Sequence, residues 1–194
     1  MDCARSTFRS RVRPVPDLGP RRLVIVGTSG VGKTTLARSA ARSLGATFIE
    51  LDALHWEPGW TEAAPGVLRD RVREALTAER WVVDGNYLHL RDLVWPLADT
   101  VVWLDYARHV VMRRVVWRTL VRALGREVLW SGNRESIARA FGRDSIVRWA
   151  WDTFDQRRAE YGELLLGPTR PAHLRVVHHR TPADAARWLD DLAG

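Results

Sequence analysis

Four short apolar runs punctuate the chain: Leu23–Val26, Trp81–Val83, Val101–Leu104 and Leu174–Val177. They are continuous rather than alternating, as strands covered on both faces are. A fifth run, Thr47–Glu50, has the length of a strand but a weaker apolar signal. Between these runs the apolar positions recur with helical spacing. The pattern predicts helices over Lys33–Leu44 (closed by Gly45), about Pro65–Ala78, about Arg108–Leu124 (closed by Gly125), about Ser145–Tyr161, and Pro182–Leu192. Thr181 reads as an N-cap with proline at the first helical position. Strands alternating with helices predict a parallel α/β sheet with right-handed crossovers. Ligands on such a sheet gather at the carboxyl ends of the strands. That rule selects the loops after Val26, Glu50, Val83, Leu104 and Val177.

The first of those loops carries a motif. Gly27-Thr-Ser-Gly-Val-Gly32-Lys33-Thr34 fits G-x-x-x-x-G-K-[ST] between a strand and a helix, the context that a phosphate-binding P-loop requires. Its glycines let backbone N–H groups turn toward phosphate oxygens, and the following helix adds its positive dipole end. The residues expected to cradle the nucleotide are Gly27, Ser29, Gly30, Val31, Gly32, Lys33, Thr34 and Thr35. Lys33 is expected to reach the β- and γ-phosphates, and the Thr34 hydroxyl to ligate Mg²⁺. Lys33 is the only lysine in the chain; every other basic residue is arginine.

Composition sets the bounds. The chain has 194 residues, 46% hydrophobic and 27% charged, which suits one globular domain. No apolar run approaches the ~18 residues of a membrane span. One cysteine, Cys3, permits no intrachain disulfide, and MDCARSTFRS lacks the apolar core of a secretory signal. A cytoplasmic setting is the expectation. Residues 1–20, rich in Arg and Pro, are expected to form a disordered basic tail ahead of a domain at 21–194. The net charge of +7 is unevenly placed: residues 51–107 hold ten acids and five arginines, residues 108–158 twelve arginines and five acids. Such a block either closes over nucleotide phosphates or binds nucleic acid.

A GTPase would need a base-reading lysine, and no second lysine exists. No D-x-x-G follows the Asp-ending strands, no LSGGQ-like signature is present, and the chain is short for a ring ATPase with its helical lid domain. Small-molecule kinases remain. The order GTSGVGKTT, ELDALHWEPGW, WVVDGNY, TVVWLD, an Arg-rich helix and a closing helix resembles the adenylate-kinase-like P-loop proteins. Over about residues 22–192 it looks most like the bacterial branch labelled topology modulation protein. The resemblance implies a three-layer P-loop NTPase fold. It would have a five-stranded parallel sheet, helices on both faces and an Arg-rich helical lid at about 125–143. It also implies ATP and Mg²⁺ as cofactors. The chain departs from the family at two points. Leu88 stands where nucleoside monophosphate kinases carry an acceptor-holding arginine, and the loop reads SGVGKT rather than PG-x-GKGT.

On the acceptor side Asp52 is read as ending the second strand. There it takes a proton from an acceptor hydroxyl, fixes Mg²⁺ through water, or caps a helix. Shikimate- and gluconate-type kinases also carry an Asp after this strand. His55, Trp56 and Trp60 either stack on a substrate or pack under a loop. Asp84, on a strand that the resemblance sets beside the P-loop strand, is the first candidate for the Mg²⁺-associated aspartate; Asp105 is the runner-up. Arg114, Arg118 and Arg122 recur at i, i+4 with no acid between Arg108 and Gly125, so they form one stripe. Val110, Val111, Val115, Trp117, Leu120, Val121 and Leu124 are read as its packing face. Arg143-Asp144 and Arg157…Tyr161 echo the family's lid arginines. Arg180, in a loop with His178 and His179, falls where such kinases hold adenine. A metal site at the two histidines is disfavoured, since no other ligand cluster is near in sequence.

The expected activity is transfer of the γ-phosphoryl group of ATP to a small molecule, a nucleoside monophosphate first and a hydroxylated metabolite second. Lys33, Arg118, Arg122, Arg143 and Asp52 are the expected catalytic residues. The rival reading is a nucleic-acid-associated ATP-binding regulatory protein.

Overall fold

The computed structural model describes residues 19–125, 130–133 and 146–193, with backbone only for 122–125. The tail at 1–18, most of the expected lid including Arg143, and the Arg122 side chain lie outside the described residues.

Five parallel strands form one sheet in the order β2-β5-β1-β6-β7. They are β1 (Arg22–Gly27), β2 (Thr47–Glu50), β5 (Trp81–Asp84), β6 (Thr100–Leu104) and β7 (Arg175–His179). All five coincide with the apolar runs. The weak signal of β2 follows from its place at the sheet edge, where Thr47 is exposed. Successive residues alternate between two cores. Val24, Val26, Val83 and Val101 face one; Leu23, Ile25, Val82 and Val102 face the other. The first core is covered by α3 (Pro65–Ala75), α4 (Arg91–Val94) and α7 (Phe154–Leu166). The second is covered by α1 (Lys33–Leu44), α5 (Arg108–Gly125), α6 (Ile146–Asp152) and α8 (Pro182–Ala193). The fold is therefore the expected three-layer P-loop architecture. Strand order reverses at β1, so the cleft opens at its carboxyl end.

Helix ends follow local chemistry. Gly45 closes α1 in a left-handed conformation, and its N–H reaches back to Arg42 O. At α8 the Asp184 N–H donates to Thr181 Oγ1 at 3.2 Å and the Thr181 N–H to Asp184 Oδ2 at 3.1 Å, a reciprocal cap.

Several expectations need correction. The helix expected over Ser145–Tyr161 is two helices broken at Thr153, whose hydroxyl donates to Trp149 O at 2.7 Å. The second, α7, runs on to Leu166 because Leu165 still faces the core. Val111 and Val115 pack inward from α5, but Trp117, Leu120 and Val121 are exposed. Asp52 lies in α2 (Leu51–His55), past the end of β2. His178 and His179 belong to β7 rather than to the loop. The sequence reading also missed a two-residue antiparallel pair, β3 (Trp56–Glu57) with β4 (Thr61–Glu62). Among the described residues no helix is long and apolar enough to cross a membrane.

Leu165→Ala should destabilise the protein by about 2–5 kcal/mol, as truncation of a fully buried leucine does. Leu166→Ala, at a residue 58% exposed, should change it by less than ~0.5 kcal/mol. Urea unfolding of both variants checks the end of α7.

Candidate active site

The phosphate loop is held by close backbone approach. Gly27 has φ +145, and a Cβ there would lie 2.5 Å from Leu104 O. At Gly30, φ +77, a Cβ would lie 2.2 Å from Val115 Cγ2 on α5. Only glycine fits either position. Gly32 caps α1 without a side-chain bond, leaving first-turn N–H groups facing an open cleft of ≈ 850 Å³. Ser29 through Thr35 line that cleft, and Gly27 is not among its lining residues.

Lys33 folds back on its own loop, its Nζ donating to Gly27 O at 3.0 Å and Thr28 O at 3.2 Å. Burial lowers its pKa; the Asp84 and Asp52 carboxylates pull it back up. Asp84 ends β5, opposite Ile25 of β1 and Glu50 of β2, and is 4% exposed. Burial raises its pKa, opposed by Lys33 and by a hydrogen bond from Thr34. Asp84 Oδ1 is buried with no hydrogen-bond partner. A hydroxyl beside an under-bonded buried carboxylate is a hard-oxygen pair that fits Mg²⁺, an ion that keeps water and phosphate as its other ligands.

Asp105, the runner-up, is paired within the protein. It is buried at the end of β6, where Arg158 Nε pairs with Oδ1 at 2.8 Å and His178 Nε2 lies 3.1 Å from Oδ2. His178 stacks on Trp103, with ring centres 4.2 Å apart. These groups tie β6, β7 and α7 together, and the large cleft is lined by Asp84 and Asp52 rather than by Asp105. His179 packs against Trp188 and is pushed toward its neutral form, chiefly by burial. Among the described residues no His, Cys, Asp or Glu cluster is arranged to hold a metal on its own. Arg180 is exposed after β7 and is not among the cleft-lining residues. That wall is formed instead by Tyr106 and the α8 residues Pro182 and Ala185.

The arginine stripe meets the loop from above. Arg114 Nη1 donates to Val31 O at 2.7 Å, and Arg118 Nη2 to Ser29 Oγ at 3.4 Å. Both line the cleft. The arginines at i, i+4 on α5 therefore face the phosphate loop, where a carbonyl and a hydroxyl accept from them.

Opposite them lies Asp52, whose Oδ1 accepts a 2.7 Å hydrogen bond from the Tyr87 hydroxyl. Burial first, then Asp52, pushes the Tyr87 pKa far up, so the phenol remains a donor. His55 packs edge-on against Trp56 and Tyr87. Trp56, Trp60 and Trp130 continue as an edge-to-face series. Asn133 pins this wall: it accepts from the Trp60 N–H and donates to Glu57 O, each at 2.9 Å. Trp60 and Ser131, the two non-glycine residues with positive φ among those described, both lie at this junction. Sequence reasoning gave no role to Asn133 or to the Tyr87–Asp52 bond. A polar residue just after a strand-ending Asp-Gly was the one available signal, for Asn86 and Tyr87.

A family model described as "ATPase family associated with various cellular activities (AAA)" matches residues 23–124, from β1 to the end of α5. No curated protein matches. Among solved structures, shikimate kinase from Bacteroides thetaiotaomicron aligns with a TM-score of 0.52 at 15% identity, over 90% of this chain and 97% of that one. A gluconokinase from Sinorhizobium meliloti 1021 aligns with a TM-score of 0.47 at 20% identity, over 89% and 95%. At these identities the first likeness shows a shared fold.

The raised pKa of Asp84 gives a test by pH. Protonation of a carboxyl whose folded pKa exceeds its unfolded pKa stabilises the fold; that stability is lost as pH rises through the folded value. Asp84→Asn should melt higher than the nucleotide-free parent at pH 8, and the gap should narrow as pH falls through the Asp84 folded pKa, which lies above the usual carboxylate value. A gap that widens on acidification would exclude a carboxyl whose pKa is raised by burial.

Proposed function

The chain belongs to the ATPase family associated with various cellular activities (AAA), and from that premise we propose that it is a phosphotransferase that passes the γ-phosphoryl group of ATP to a small acceptor. The reading rests on one juxtaposition: Asp52, oriented by Tyr87, in the same cleft as Lys33 and the α5 arginines. A protein that only hydrolysed ATP would not need a tyrosine-oriented carboxylate facing the phosphate side of its cleft.

In this reading Lys33 leaves the loop carbonyls for the phosphates. Arg114 and Arg118 stabilise charge on the transferring group, joined by Arg122 and Arg143. Asp52 Oδ2 accepts the proton of an acceptor hydroxyl while Oδ1 stays with Tyr87. The acceptor oxygen bonds to the γ-phosphorus, the bridge to the β-phosphate breaks, and ADP leaves. Thr34 and Asp84 would hold Mg²⁺, which neutralises phosphate charge when bound.

A hydroxylated metabolite is the acceptor that Asp52 favours, because a carboxylate base suits an alcohol. A nucleoside monophosphate is the second reading. It is favoured by Trp130, a tryptophan among the cleft-lining residues against which a base could stack, and by the likeness to the adenylate-kinase-like, topology-modulation branch. Arg180 is proposed only as an outer contact to the nucleotide.

Lys33→Ala should lose turnover by ~10³-fold or more while melting as the parent does. Asp52→Asn should lower kcat ~10²–10⁴-fold with the KM for ATP little changed. The assay is ADP release with Mg²⁺ across hydroxylated metabolites and nucleoside monophosphates. An Asp52→Asn variant with full kcat would remove the base from the mechanism.

A further inference from the structure

Gly27 ends β1 and begins the phosphate loop. On the β5 side, strand pairing stops at Ile25 opposite Asp84, followed by one long contact from Gly85 N–H to Ile25 O at 3.4 Å. The β5 chain then turns away at Gly85, φ +151. The Asn86 side chain supplies the next rung of the ladder. Gly27 N–H donates to Asn86 Oδ1 at 3.1 Å, and Asn86 Nδ2 donates to Gly27 O. A side-chain amide carries the donor and acceptor that this two-way pairing needs. Asn86 is itself held from α7: the buried Tyr161 hydroxyl donates to Oδ1 at 3.1 Å, and Arg157 Nη1 to the Asn86 carbonyl at 3.4 Å.

The Gly27 carbonyl has a second donor, Lys33 Nζ at 3.0 Å. Reaching a phosphate requires the lysine to give up that bond. A half-buried carbonyl left without a donor would oppose the move. We propose that Asn86 is a positioning residue for nucleotide binding, keeping the Gly27 carbonyl satisfied so that Lys33 is released to the phosphates. Tyr161 orients the amide for that task. The inference rests on the P-loop being the ATP site.

The test is calorimetric binding of a non-hydrolysable ATP analogue with Mg²⁺ to the full chain, with melting temperatures in parallel. Asn86→Ala should weaken binding about tenfold, the worth of one such hydrogen bond, and Tyr161→Phe about two- to threefold. The decisive readout is coupling to the lysine. In a Lys33→Ala background, Asn86→Ala should weaken binding by less than twofold further, because no lysine remains to be released. A merely structural role would give the full tenfold loss in both backgrounds, and that result overturns the proposal. So does wild-type-like affinity in Asn86→Ala. Should that variant fail to fold, Tyr161→Phe decides, and unchanged affinity there overturns it. A parent protein that does not bind the analogue would instead remove the ATP-site reading itself.

Discussion

Lys33, in the first turn of α1, and Asp84, at the end of β5, both line the cleft with their charges disfavoured by burial, and the rest of the cleft is arranged around them. Burial disfavours both charges, and each pulls the other back toward its ionised form. Neither group is fully satisfied: the lysine borrows two loop carbonyls, and Asp84 Oδ1 has no hydrogen-bond partner. A site left under-satisfied in a region of low dielectric is poised for a ligand that brings both negative oxygens and a cation. A metal–triphosphate has that composition. The arginines of α5 and the first-turn N–H groups of α1 extend the same positive surface.

The sheet makes this arrangement rigid. β1 is central, so Gly27 is squeezed between Leu104 O on one flank and the Asn86 amide on the other. Val115 packs where a side chain on Gly30 would stand. The loop therefore has little freedom before a nucleotide arrives, which lowers the ordering cost of binding. The proposed acceptor side is built differently, from short elements fastened by Asn133 and a run of aromatic edges. Among the described residues, that side carries the positive-φ positions outside glycine, Trp60 and Ser131.

The strands were legible because burial on both faces leaves a continuous apolar run, and the P-loop because its glycines, lysine and threonine each answer a phosphate. Asp84 could be set beside β1 only through family likeness; residue pattern alone gave Asp105 an equal claim. What separates them is tertiary. Asp105 is consumed by Arg158 and His178, partners 53 and 73 residues away. The acceptor wall was opaque for the same reason, since the Asn133 bonds to the hairpin span 73 and 76 residues. Trp117 was misread because helical spacing marks a face without saying what covers it. The break at Thr153 was hidden because threonine is tolerated in helices until its hydroxyl bonds back to the preceding turn.

The central claim is that the phosphoryl group passes to a small molecule held beside Asp52 rather than to water. Phosphorus NMR of the protein with ATP, Mg²⁺ and a panel of hydroxylated metabolites and nucleotides follows the group directly. The account predicts that ADP will accumulate with a new phosphoester or nucleotide resonance for one acceptor class, and that neither will form with Lys33→Ala. Conversion of ATP to ADP and inorganic phosphate alone, at a rate indifferent to every acceptor, would contradict it.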